Sequence, residues 1–374
     1  MWSFLAKLTG TPRARVTIKP DCDYLFLSGQ GEEAHGQYIR GKVLLALSGD
    51  EAVQGVQLKL TGHFWMGDHD ADTDEAAGWK STDFLVHEWG LFKVPGSYKQ
   101  QHGGTRNYEW PFEHFINGNQ QESMRGCDRC RITYRLEAST ISEGPSNDFR
   151  DFVPIRIIRC PPLSDFELLD PITLQGKWLG RVEYSVSLRH QATALGGLIP
   201  IEAKIANVGA GLRLTSAKFY LRETHTVHDK HLADLFSYQG QRTVTEWPLL
   251  LCDKGRQGQT WQQCLHLPRI VRKCSPDFNV RGITISHSLH FAATLRESDG
   301  TESEYEDSMP IIVFISPELP INGWGVFAQE HEKRTDEAVI KRALSEGVRV
   351  PPKYMEVEDS INDYETPPPP YTTA

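Results

Sequence analysis

The stretch Ile283-Thr-Ile285-Ser-His287-Ser-Leu289-His-Phe291-Ala-Ala293-Thr-Leu295 decides the fold. Every second position, His287 apart, is apolar, a period that only an extended strand turns into one buried face. The same period recurs along the chain. It runs through Val16-Thr-Ile18, Val43-Leu-Leu45-Ala-Leu47, Val56-Gln-Leu58-Lys-Leu60 and Ile132, Tyr134, Leu136 and Ala138. It returns in Val182, Tyr184, Val186 and Leu188, and in Ile201, Ala203 and Ile205. Turn sequences such as Ser48-Gly-Asp50, Asn207-Val-Gly209 and Ser298-Asp-Gly300 separate these runs. Many short strands with almost no helical period predict an all-β chain of antiparallel, immunoglobulin-like sandwiches. A length of 374 residues exceeds one ordinary core, so two sandwiches in tandem are expected.

An internal echo places the boundary. Val153-Pro154-Ile155-Arg156-Ile157-Ile158 resembles Met309-Pro310-Ile311-Ile312-Val313-Phe314, each with proline at its second position. Proline lacks a ladder donor and suits the start of an edge strand, so both segments are expected to close a domain. The expected division is a first sandwich at 1–162, a linker at 163–175 around Pro161-Pro162, a second sandwich at 176–318, and a tail at 319–374. In the tail, Thr335 caps a short amphipathic helix that stops at Gly347. From Met355 the tail is acidic without an apolar stripe and is expected to be disordered.

Composition excludes several classes. A net charge of −9 disfavours general nucleic-acid binding. No apolar run reaches the ~20 residues of a membrane span. The start, Met1-Trp2-Ser3-Phe4-Leu5-Ala6-Lys7, has no secretory pattern, and Trp2 stands where myristoylation needs glycine, so the chain reads as cytoplasmic. Seven scattered cysteines suit free thiols in a reducing compartment. Cys127-Asp-Arg-Cys130 is a lone CxxC with no second pair to complete a zinc site. Asp68, Asp70 and Asp72 alternate like calcium ligands, but Thr73 stands where the loop needs glycine. His225, His228 and His231 form the best metal candidate. They follow the strand Phe219-Tyr-Leu221 into what reads as a polar loop, so no metal site is assigned. No phosphate loop, GxSxG or HExxH occurs, so no catalytic residue and no cofactor is expected. Arg125, Arg129, Arg131, Arg135, Arg150, Arg156 and Arg159 offer a basic patch for phosphorylated or acidic tails, against ordinary strand-surface charge as the alternative. Trp2 and Phe4 with Lys7 either touch a membrane surface or tuck onto the first sheet.

The end of the chain carries the clearest motifs. Pro351-Pro352-Lys353-Tyr354 and Pro368-Pro369-Pro370-Tyr371 both fit Pro-Pro-x-Tyr, with tyrosines 17 residues apart. Consecutive prolines pre-set the polyproline II conformation that docks between the aromatic side chains of a WW domain. Pro351, Pro352, Tyr354, Pro368, Pro369 and Tyr371 are therefore the candidate WW-binding residues. A flexible 17-residue spacer spans roughly 20–25 Å on average and at most about 56–61 Å, enough for two WW domains on one protein.

Two tandem sandwiches followed by such a tail resemble the α-arrestins, in particular the fungal arrestin-related trafficking adaptors. The resemblance rests on Gly41-Lys-Val-Leu-Leu-Ala-Leu47, Val53-Gln-Gly-Val-Gln-Leu-Lys-Leu-Thr-Gly62 and Tyr108-Glu-Trp-Pro-Phe112. In the second half it rests on Val182-Glu-Tyr-Ser-Val-Ser-Leu188, Gly197-Leu-Ile-Pro-Ile-Glu-Ala203 and the 283–295 strand with Met309-Pro310 after it. No clathrin or adaptor-complex box of the visual and β-arrestins is recognisable. The resemblance implies an adaptor that is not an enzyme. Its WW-binding residues would recruit a HECT-type ubiquitin ligase to membrane transporters or receptors, promoting their ubiquitination and endocytosis. It further implies ubiquitin on the adaptor itself, with Lys333, Lys341 and Lys353 nearest the docked ligase, and peripheral recruitment to plasma membrane and endosomes. The competing readings are an arrestin-like signalling scaffold at a plasma-membrane sensor, a retromer-type sorting subunit, and a β-sandwich enzyme or carbohydrate-binding module.

Overall fold

The computed structural model describes residues 14–327 apart from 30, 31, 33, 49–52, 67–79, 96–104, 126–129, 143–148, 160–170, 181, 207–210, 229–236, 252–257, 281, 318, 319 and 326. Nineteen strands and no α-helix occur among the described residues. The first ten are β1 (Ala14–Pro20), β2 (Tyr24–Leu27), β3 (Gln37–Ser48), β4 (Val53–Met66), β5 (Lys80–Glu88), β6 (Phe92–Lys93), β7 (Thr105–Ile116), β8 (Cys130–Ser142), β9 (Arg150–Arg159) and β10 (Ile172–Trp178). The rest are β11 (Val182–Leu188), β12 (Ala192–Ala194), β13 (Leu198–Ala206), β14 (Leu212–His228), β15 (Ser237–Pro248), β16 (Gln259–His266), β17 (Phe278–Val280), β18 (Ile283–Glu297) and β19 (Glu302–Phe314).

The strands form two sandwiches of the same plan. A three-stranded sheet β1-β3-β7 faces a sheet ordered β2-β9-β8-β4-β5, with β6 on β4. In the second half a sheet β10-β11-β13-β16 faces β12-β19-β18-β14-β15, with β17 on β18. Alternation in the sequence becomes alternation of burial: β11 reads buried and half-buried in turn over Val182–Leu188. Leu289, Phe291, Ala293 and Leu295 of β18 are all within 1% exposure. Burying a leucine or phenylalanine side chain contributes about 1.5–3 kcal/mol, so the period itself drives the pairing. Trp178, Tyr184, Phe219, Phe291 and Trp261 form an aromatic layer at the centre of the second core, with Phe219 and Phe291 stacked at 5.0 Å.

The echoed proline segments occupy equivalent places. β9 and β19 are each the last strand of a sandwich, and each pairs in parallel with a short strand, β2 or β12. Neither is an edge strand, contrary to expectation. Pro154 and Pro310 are nevertheless tolerated for the expected reason. The parallel partner begins two residues later, at Arg156 and at Ile312, so each proline lies where one side of the ladder is open. Two expected boundaries shift. Ile172–Trp178 pair with β11, so the linker at 163–175 ends before Ile172. Residues beyond 319 return to the body: Ile321 is fully buried and bridges Phe327. The tail helix, both Pro-Pro-x-Tyr motifs, Cys127, Arg129, the acidic loop at 68–75 and the N-terminal aromatics lie outside the described residues.

The cores interlock. Val227, Phe278, Ile283 and Ile285, from the ends of β14, β17 and β18, pack into the first sandwich's core. In return, Ile158 of β9 packs into the second core, with Tyr24 and Phe26 against it.

Candidate functional site at the domain junction

Three groups of buried or crowded charges gather around this interlock. The first is on β9. Arg156 is 2% exposed, and its Nε donates to the carbonyl of Asn322 at 3.0 Å. Burial, then the neighbouring Arg125, pushes its guanidinium down to about 10. Asn322 belongs to the segment that leaves β19 and crosses back over β9. Trp324 meets Phe152 there with ring centroids 6.2 Å apart. We call residues 320–327 the strap.

The second group is arginine-rich. Burial, then Arg131 and Arg272, lowers the proton affinity of Arg125, and Arg125 in turn acts on Arg156, so three arginines surround Arg125. Among the described residues, no ion pair joins any of the four to a carboxylate. Arg131 lies over the ring of Trp65 at 5.1 Å. The seven arginines expected to form one patch therefore divide. Arg159 spends its guanidinium on the carbonyls of Gly29, Gly118 and Gln120 at 2.6–2.9 Å and is structural. Its neighbour Glu122 is pushed up to about 7 by burial, partly offset by Arg159. Arg135 pairs with Glu137, and Arg150 lies at the opposite end of β9 from Arg156. Arg272, from the second sandwich, completes the cluster. Sequence reading missed it because nothing local links a turn residue at 272 to a loop at 125.

The third group centres on Glu223, which has no exposed surface. Its Oε1 receives Arg242 Nη2 at 2.7 Å, Ser275 Oγ at 3.3 Å and His225 Nε2. Its Oε2 receives Ser275 N–H at 2.8 Å and faces His287 Nε2 at 3.2 Å. Burial alone would raise the Glu223 carboxyl. The hydrogen bonds from His225, His287 and Ser275 and the charge of Arg242 outweigh it and hold the group well below the carboxylate range. Asp277 Oδ1 accepts from His287 Nδ1 at 2.6 Å and from Val313 N–H at 3.0 Å. Burial would lower His287, but Asp277, Cys274 and Glu223 raise it to about 11. Cys274 Sγ lies 3.9 Å from His287 Nε2.

This corrects the reading of the histidine cluster. β14 continues through His228, so His225 is a buried strand residue that turns inward with Glu223, not a loop residue. The side chain of His228, and His231 altogether, lie outside the described residues. Cys274, His287 and Asp277 follow the order of a nucleophile, its base and an orienting carboxylate. Burial raises the Cys274 thiol, and Glu223 already faces the base nitrogen, so no activated nucleophile results. Cys130, of the lone CxxC, is buried in the first core.

Residues 178–318 match the family model for the arrestin (or S-antigen) C-terminal domain. The chain carries an arrestin C-terminal domain. Over most of its length it is also similar to proteins named HECT-type ubiquitin ligase-interacting protein creD. It is 28% identical over 353 residues to the HECT-type ubiquitin ligase-interacting protein creD of Emericella nidulans, covering 91% of this chain and 58% of that protein. It is 29% identical over 353 residues to the probable creD of Aspergillus fumigatus, with the same coverage. For Aspergillus oryzae the figures are 29% over 376 residues, 94% of this chain and 62% of the relative. The chain thus spans about three fifths of the length of the curated relatives it matches. The tandem antiparallel sandwiches expected from the strand pattern, and the arrestin-like fold expected from the resemblance, are the architecture found.

Proposed function

We propose that this chain is a non-enzymatic adaptor that recruits a HECT-type ubiquitin ligase to membrane transporters or receptors. The observation that carries this reading is one chain holding both an arrestin C-terminal domain and two Pro-Pro-x-Tyr motifs. Relatives aligned over 91% of it bear the name HECT-type ubiquitin ligase-interacting protein. In this reading Pro351, Pro352, Tyr354, Pro368, Pro369 and Tyr371 dock on WW domains of the ligase. Two linked sites raise avidity on the order of 100-fold over either alone. The sandwiches hold cargo, and cargo ubiquitination leads to endocytosis. The cluster of Arg125, Arg131 and Arg272 supports a cytosolic cargo tail that is acidic or phosphorylated, since crowded guanidinium groups without a carboxylate ion pair favour a bidentate anion.

The test is a titration of a peptide spanning Gly347 to Ala374 with the WW domains of a HECT ligase. Micromolar binding that weakens in Tyr371→Ala and disappears in Tyr354→Ala, Tyr371→Ala supports the reading. Equal binding by the double variant refutes it.

A further inference from the structure

The Glu223 cluster has an arrangement that salt bridging alone leaves unexplained. Glu223, Cys274 and His287 each present one ligand-type atom, and these three atoms lie within 4.8 Å of one another, all buried. We propose that Glu223 Oε2, Cys274 Sγ and His287 Nε2 bind one Zn²⁺ ion in the second sandwich. The inference is independent of the ligase reading.

Distances favour it. Zinc bonds of about 2.0–2.1 Å to nitrogen or oxygen and about 2.3 Å to sulfur put tetrahedral ligand atoms about 3.3–3.6 Å apart. Here His287 Nε2 is 3.2 Å from Glu223 Oε2 and 3.9 Å from Cys274 Sγ. The third separation, between Cys274 Sγ and Glu223, is within 4.8 Å. One thiolate, one imidazole and one carboxylate are a ligand mixture that suits zinc better than calcium or magnesium.

The surroundings are those of an oriented metal ligand set. A ligating histidine usually donates its other ring N–H to a carboxylate, and Asp277 accepts from His287 Nδ1 at 2.6 Å. Asp277 is itself fixed by the backbone N–H of Val313. Arg242, His225 and Ser275 Oγ occupy Oε1 of Glu223, while Oε2 accepts from Ser275 N–H and faces His287. The Nε of Arg242 is buried without a hydrogen-bond partner, so the guanidinium is held by the carboxylate and the Arg272 carbonyl rather than by a complete network.

Zinc takes cysteine as the thiolate, so uptake of the ion releases the proton of the Cys274 thiol to solvent. Cys274 and His287 are buried, and the three side chains supply three of the four positions of a tetrahedral zinc, joining the turn at Cys274 to strands β14 and β18.

The experiment uses the full chain carrying Cys127→Ser and Cys130→Ser, stripped with EDTA and then titrated with Zn²⁺ by calorimetry and with Co²⁺ by absorption. The expected result is about one metal per chain, with a near-ultraviolet thiolate-to-cobalt band and tetrahedral visible bands. Asp277→Asn should weaken binding about 10- to 100-fold, and Cys274→Ser should abolish the thiolate band. His228→Gln, His231→Gln should leave both signals unchanged. No uptake at micromolar free zinc, a cobalt spectrum without the thiolate band, or binding lost only in the His228 and His231 variant would each overturn the site. The spectrum is read on protein with Cys274 intact, so misfolding of the Cys274→Ser variant cannot rescue the idea.

Discussion

The strap across β9 should be breakable by one methyl group. A Cβ on Gly323 would lie 2.9 Å from Ile155 N and closer still to the carbonyl carbon and oxygen of Pro154. All three are backbone atoms of a strand held on its other side by β8, so they cannot yield as a side-chain end would. Forcing an extra carbon into such a contact costs about 1–3 kcal/mol. The strap can relieve it only by lifting, which removes the Arg156–Asn322 hydrogen bond, worth about 1.5–3 kcal/mol because its donor is charged. Gly323→Ala should therefore weaken strap closure by about 2 kcal/mol, or roughly 30-fold in the opening equilibrium. Amide hydrogen exchange of peptides covering 320–327 and 150–159 measures it directly. Gly90→Ala is the control, since nothing lies within 4 Å of a Cβ there. It should be neutral or slightly stabilising. Exchange within twofold of wild type in Gly323→Ala, or an equal rise in Gly90→Ala, would refute the steric account.

Other perturbations have equally definite outcomes. Glu122 has a folded-state value near 7, above its ordinary value, so its contribution to stability is full when it is protonated and is lost as pH rises from about 4.5 through about 7. Glu122→Gln should remove that slope and stabilise the first sandwich by about 1–2 kcal/mol at pH 8, after allowance for solvent screening, as read from urea midpoints between pH 5 and 8. Phe219→Ala empties a fully buried position stacked on Phe291 and should destabilise the second sandwich by about 3–5 kcal/mol, whereas Trp324→Ala, at 59% exposure, should cost under about 1 kcal/mol in the same melts. Arg125→Gln with Arg272→Gln should weaken binding of an acidic or phosphorylated peptide and flatten its salt dependence without lowering the melting temperature; unchanged binding would remove the arginine cluster from the cargo reading.

The strands were legible because their cause is local. Ile283 to Leu295 buries alternate residues whatever else the chain does, and so do Val182 to Leu188. The paired prolines at 154 and 310 exposed the repeat because the open stretch beside β9 and β19 is itself set by a short neighbour in the sequence pattern. His225 was misplaced for the opposite reason. Glu223-Thr-His225 is polar, and polarity read locally means a loop. It is a strand because Ser275, His287 and Arg242, 19 to 64 residues from Glu223, satisfy its charge. Arg272 and Asn322 were invisible for the same reason: each acts on a partner more than 140 residues distant. No periodicity encodes such a pairing.

The Glu223 cluster sits beside the domain junction. On β14, His225 and Val227 face the same way, two residues apart, and on β18 so do Ile285 and His287. Val227 and Ile285 are the side chains that enter the first sandwich's core, while His225 and His287 bond Glu223. One strand face thus changes from ionic to apolar within a single step of the pleat. A side chain in a close-packed core has little freedom to shift alone. The His287 ring is therefore held between Ile285, packed in the first sandwich's core, and Leu289 of the second. The aromatic layer around Phe291 lies on the other side of His287 and is braced by Trp178, Phe219 and Trp261. The cluster thus lies between that aromatic layer and the domain junction.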